Sequence, residues 1–145
     1  MKEYRFGEIW VEIDEEATRD YYANSVVWDC TCGHCRNFVE VAKKRQLPEE
    51  LLRLLDKLSI PPEKATYVCE MDAQGRRLFY ELSYRLSGRV LKSPEKRAVT
   101  MEWGELWCDE QIAPGSAEAF PKPWFDLTLF LWLPWVLDEP VEEPR

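Results

Sequence analysis

The chain carries a single histidine, His34, so a serine- or cysteine-based hydrolase would have to use that one imidazole as its base. His34 sits beside Cys35 in the same turn, which is poor geometry for a base aimed at a nucleophile. Its six glycines form neither G-x-G-x-x-G nor G-K-[ST], so no phosphate-cradling loop is visible. Long apolar runs are missing too. The longest near the C-terminus, Leu127 to Leu137, is interrupted by Thr128 and Pro134. A spanning helix needs roughly 20 apolar residues. Basic residues are scarce in the last third. Residues 1–101 balance 17 basic against 17 acidic side chains, whereas residues 102–145 hold 2 basic and 10 acidic ones. The whole net charge of −8 therefore lies in that last part. Such a balance argues against nucleic acid or an anionic membrane as a partner.

What is present is one domain's worth of chain, 145 residues with 46% hydrophobic side chains. That is enough for a core without disulfide staples. The opening Met-Lys-Glu-Tyr-Arg-Phe has no apolar signal core, which predicts a cytoplasmic protein. Five cysteines, an odd number, argue against a disulfide framework in such a compartment.

Periodicity gives the architecture. Phe6 to Ile13 alternates as a strand, and Asp14 caps a helix over Glu15 to Ala23. Val26, Val27 and Trp28 are a short apolar run. Helical patterns follow over Gly33 to Arg45 and Glu49 to Leu58, the second with a wide leucine stripe. Ala65 to Met71 reads as a strand, and Asp72-Ala73-Gln74-Gly75 as a hairpin turn. Leu78, Tyr80, Leu82, Tyr84 and Leu86 alternate along its partner, with Gly88 as a bend or bulge. Val99 to Cys108 is expected to be one further strand, with Met101, Trp103 and Trp107 on one face. Residues 109–125 read as irregular. Asp126 to Leu133 is apolar on both faces, which predicts a central, doubly covered strand. The order predicts one α+β domain over 1–145, a mostly antiparallel sheet with helices packed on one face. Residues 137–145, acidic and proline-containing, are expected to form a loose tail.

The chemistry concentrates in Trp28-Asp29-Cys30-Thr31-Cys32-Gly33-His34-Cys35-Arg36-Asn37-Phe38. Three thiols fall within six residues at the start of a helix, where the dipole and Arg36 favour thiolates. Cys32 and Cys35 have the C-x2-C spacing that lets two thiolates grip one tetrahedral ion, and Cys30 offers a third ligand. Cys108, Cys69 or His34 could supply the fourth. The metal set expected here is Cys30, Cys32, Cys35 and Cys108, with zinc in a structural role. No second C-x2-C supports it, and burial of small side chains is the competing explanation.

Cys32-Gly33-His34-Cys35 also resembles the active-site tetrapeptide of protein disulfide isomerases. About 45 residues of context resemble a thioredoxin fold: strand, helix, Val26-Val27-Trp28, then the motif. That resemblance implies a thiol–disulfide oxidoreductase with Cys32 attacking and Cys35 resolving. Thr31 departs from it, standing where a tryptophan is usual, and so do the extra thiol Cys30 and the position of Pro61-Pro62.

Trp103, Trp107, Trp124, Trp132 and Trp135 crowd the acidic third. Most are expected in the core. The remainder, rimmed by Glu102, Glu105, Asp109, Glu110 and Asp126, would suit a basic protein partner, as in an immunity-like acidic binder. Together with the cysteine segment, Leu133-Pro134-Trp135-Val136-Leu137-Asp138-Glu139 resembles a group of small bacterial proteins without an assigned activity. That resemblance implies a bacterial, cytosolic, single-domain protein, and it transfers no catalytic residue. A non-enzymatic protein is the expectation.

Overall fold

In the computed structural model, residues 1–110, 120 and 122–142 are described. The chain begins with a hairpin, not the single strand expected over Phe6 to Ile13. Strand β1 (Lys2–Phe6) turns at Gly7-Glu8 into β2 (Ile9–Ile13). Gly7 supplies the positive φ the turn needs. Helix α1 (Glu15–Ala23) starts as expected, with the Asp14 carboxylate accepting from the Ala17 N–H. Val26 to Trp28 form no strand. Helices α2 (Gly33–Lys43) and α3 (Glu49–Lys57) follow. Among the described residues, the elements that follow are all strands: β3 (Tyr67–Gln74), β4 (Arg77–Lys92), β5 (Val99–Met101), β6 (Gly104–Asp109) and β7 (Trp124–Pro134).

All seven strands form one antiparallel sheet in the order β1-β2-β4-β7-β6-β5, with β3 also on β4. The fold is therefore α+β. The sixteen-residue β4 organises it. One edge pairs with β7 from Arg77 to Ser87. The other edge takes β3 first and then, from Gly88 onward, β2. Gly88 stands at that change of partner with φ +151, and a Cβ there would collide with the Glu12 carbonyl. Glycine is needed because two backbones meet.

The core lies between the helices and one face of β4 and β7. Leu78, Tyr80, Leu82 and Tyr84 pair across to Leu133, Leu131, Leu129 and Leu127, and all eight are buried. Phe38 and Leu55 from the helices close it. Each leucine so buried contributes about 1.5–3 kcal/mol relative to exposure. The tyrosines also place their hydroxyls: Tyr80 donates to the His34 carbonyl and Tyr84 to the Pro62 carbonyl, both at 2.6 Å.

The opposite face is of another character. Tyr67, Phe79, Trp107, Phe130 and Trp132 stand half-buried there. Trp107 meets Phe130 edge-on, and Phe79 lies against Trp132. So β7 is central, but its second face is only partly covered. Toward one end this face holds a polar seam. Ser83 hydrogen-bonds Thr128, and Arg85 makes two bonds of 2.9 Å to Asp126 beneath the Trp124 ring.

The single strand expected over Val99 to Cys108 is itself a hairpin, β5–β6, turning at Glu102-Trp103. Gly104 lies close against the Phe130 carbonyl. The turn separates the tryptophans. Trp103 and Met101 line an apolar hollow with Phe6, Leu51, Leu54 and Leu106, on the helix side. Trp107 stays on the opposite face. Most of the segment expected to be irregular, 109–125, lies outside the described residues.

Candidate metal centre

The cluster is built by the start of α2. Residues 24–32 are irregular, held by the Trp28 N–H on the Glu63 carbonyl at 3.1 Å. Cys32 is the N-cap of α2, in extended conformation, and Gly33 is its first residue. A helix start brings residue 35 back toward residue 32. The extended residues before it fold Cys30 onto the same spot. The Cys30 and Cys32 sulfurs are 3.1 Å apart, and those of Cys30, Cys32 and Cys35 all lie within 4.8 Å of one another. Exposure falls along the set: Cys30 is exposed, Cys32 half-buried and Cys35 buried.

Their acidities diverge. The Cys32 backbone N–H, then the Cys32 and Cys35 thiols, hydrogen-bond Cys30 and lower its pKa. Burial raises Cys32 and pushes Cys35 up further. Against that burial, the Trp28 indole N–H favours the Cys35 thiolate. This indole nitrogen is buried and, among the described residues, has no hydrogen-bond partner of normal geometry. A thiolate at Cys35 would give it an acceptor, and a coordinated thiol is deprotonated outright. Cys30 opens onto a shallow cleft with Trp28, Arg36, Val39, Glu40 and Leu137.

A second set of groups adjoins the first through Cys32. His34 is buried with a carboxylate at each ring nitrogen: Glu70 at 2.5 Å from Nε2 and Glu142 at 3.2 Å from Nδ1. The other Glu142 oxygen accepts from the Gly33 N–H at 2.6 Å and so caps α2 from far along the chain. The Cys32 sulfur lies 3.4 Å from both His34 nitrogens. A sulfur equidistant from the two sits over the ring face, off both lone-pair axes. Arg36, expected to add positive charge to the thiols, is paired with Glu139 through two bonds.

Three of the four expected metal ligands therefore meet, and Cys108 is not among them. It lies on β6 opposite Leu127, buried in the core, where burial raises its pKa. Hydrogen-bond register, set by the leucines of β7, holds it there. Cys69 lies on β3 opposite Glu81 and also stands apart. The thioredoxin-like context does not hold either. Strand β2 and helix α1 do precede the motif, but Val26 to Trp28 form no strand leading into it, and every strand pair among the described residues is antiparallel.

No family model, no curated protein and no solved structure matches this chain. Among the described residues, no helix is long and apolar enough to cross a membrane.

Several residues of the site carry no motif. Asn37, buried in α2, donates to the Tyr80 hydroxyl and the Pro134 carbonyl, and accepts from the Val136 N–H at 2.7 Å. The Trp135 indole donates to the Glu139 carbonyl. Together these contacts dock the segment after β7 onto α2. The tail expected to be loose is thus tied to the cluster at Glu139 and Glu142; residues 143–145 lie outside the described ones. Their sequence signal is a polar Asn37 beside Phe38, Val41 and Ala42 on the buried face of α2.

Proposed function

We propose that this is a non-enzymatic, cytoplasmic metal-binding domain in which Cys30, Cys32 and Cys35 hold one structural zinc ion. The observation that carries this reading is the convergence of the three sulfurs, the buried Cys35 beside an indole N–H that suits a thiolate. Soft sulfur donors favour zinc over magnesium or calcium, which take oxygen. The acidic third of the chain supports a second element of the reading. Trp107, Phe130 and Trp132, near Glu81 and Glu105, would contact a basic protein partner.

Cobalt(II), a coloured stand-in for zinc, tests the centre. Titration into the reduced chain is expected to raise a thiolate-to-metal charge-transfer band that saturates at about one equivalent. Each of Cys30→Ser, Cys32→Ser and Cys35→Ser should lower its intensity by about a third or more. No band, or an unchanged band in all three variants, would remove the proposal.

Thiol–disulfide exchange is a second reading, favoured by the 3.1 Å approach of Cys30 to Cys32 and by the lowered pKa of the exposed Cys30. In that reading Cys30 is the attacking thiolate, not Cys32 as the tetrapeptide resemblance implies.

A further inference from the structure

Three ligands from one six-residue segment would brace only a local loop. Structural zinc sites are usually four-coordinate and closed by protein. We propose that the fourth ligand is the Glu142 carboxylate, so that the ion staples the C-terminal segment to the start of α2. This rests on the zinc reading above.

The other donors nearby are less suited. Cys69 and Cys108 lie elsewhere in the sheet. Both nitrogens of His34 face carboxylates, and the Cys32 sulfur is off their lone-pair axes. Glu142 is already delivered. A carboxylate oxygen lies within 4.8 Å of the Cys32 sulfur. With Zn–S near 2.3 Å and Zn–O near 2.0 Å, tetrahedral geometry sets sulfur and oxygen about 3.5 Å apart. Cys32 and Glu142 then need to close by no more than about 1.3 Å. The four donors do not yet all lie within 4.8 Å of one another, so the ion draws the two groups together across Cys32. The Gly33 N–H and His34 Nδ1 aim the carboxylate. A carboxylate offers about four acceptor positions, so these contacts are compatible with a metal bond. Gly33 matters here, because a Cβ would occupy the space of the Glu142 oxygen.

The segment is held independently of Glu142. Asn37 takes the Val136 N–H, and Arg36 takes Glu139. Ligation and docking can therefore be separated. Zinc affinity of the full reduced chain is measured by competition with a chromophoric chelator, for wild type, Glu142→Gln and Glu139→Gln. Gln keeps an oxygen for the Gly33 N–H but is a poor zinc ligand. Glu142→Gln is expected to weaken zinc by about a hundredfold with stoichiometry still one, since even groups that only orient a ligand cost 10–100-fold. Glu139→Gln should change affinity by less than about threefold, as an exposed ion pair. X-ray absorption of the zinc-loaded wild type should show three sulfurs and one light atom, without outer-shell imidazole scattering. Equal affinity in Glu142→Gln, an equal loss in both variants, or clear imidazole scattering would overturn Glu142 as ligand while leaving a three-thiolate zinc intact. Failure of wild type to bind zinc at all would instead remove the centre itself.

Discussion

Asp126→Ala is expected to destabilise the fold by about 3–5 kcal/mol. Arg85 and Asp126 are both almost fully buried, 2% and 3% exposed at the side chain. Their two bonds of 2.9 Å join adjacent strands at one register position. Truncating Asp126 leaves a guanidinium in the sheet without its bidentate carboxylate, still under the Trp124 ring. Replacing both charges by apolar residues should cost less than the single change, because no charge is then left buried. The pair also bears on register. The leucines of β7 would tolerate a shift of two residues, since the same face stays inward. That shift would set Arg85 opposite Thr128 or Trp124. Urea unfolding of Asp126→Ala and of Arg85→Met/Asp126→Leu checks both points. A loss below about 1 kcal/mol for Asp126→Ala would show that the pair is dispensable.

Zinc is the second large effect. A ligand that binds only the folded chain, at a thousand times its Kd, stabilises it by up to about 4 kcal/mol. For a chain of this size that is a rise on the order of 10 °C in Tm. Cys32→Ser should abolish most of the gain, because Cys32 sits between the other two thiols and Glu142. The gain should also shrink as pH falls. Burial raises the Cys32 and Cys35 thiols above their ordinary pKa, so the metal must displace protons from both, and acid favours the protons. Thermal unfolding with and without zinc at pH 8 and pH 6 measures this. No shift with zinc, or an equal shift in Cys32→Ser, would contradict it.

The sequence revealed the elements whose signal is local. Helix α1 starts at its Asp14 cap, and β4 follows its alternating Leu and Tyr residues. The β3–β4 hairpin carried its turn signal, but the β1–β2 and β5–β6 hairpins were hidden because their turns are short. Glu102-Trp103 continues the alternation of the strands it joins, so Val99 to Cys108 reads as one strand. The strand expected over Phe6 to Ile13 instead runs through the Gly7-Glu8 turn and leaves Lys2 to Arg5 of β1 unassigned. In the site, Cys30, Cys32 and Cys35 were legible because they are neighbours in the chain. Glu70 and Glu142 were not. One comes from a strand and the other from the end of the chain, and only the docking of β3 and of the segment after β7 onto α2 brings them to His34. Cys108 shows the converse error. A thiol has metal chemistry on paper, but its place on β6 commits it to the apolar core.

The proposed function stands on Cys30, Cys32 and Cys35 acting as one zinc site. The most direct measurement is the mass of the intact folded chain, purified under reducing conditions from zinc-replete cells without chelator or metal-affinity resin, and sprayed from non-denaturing buffer. The predicted result is one zinc per chain in the wild type and none in Cys32→Ser. A wild-type chain found at its metal-free mass would contradict it.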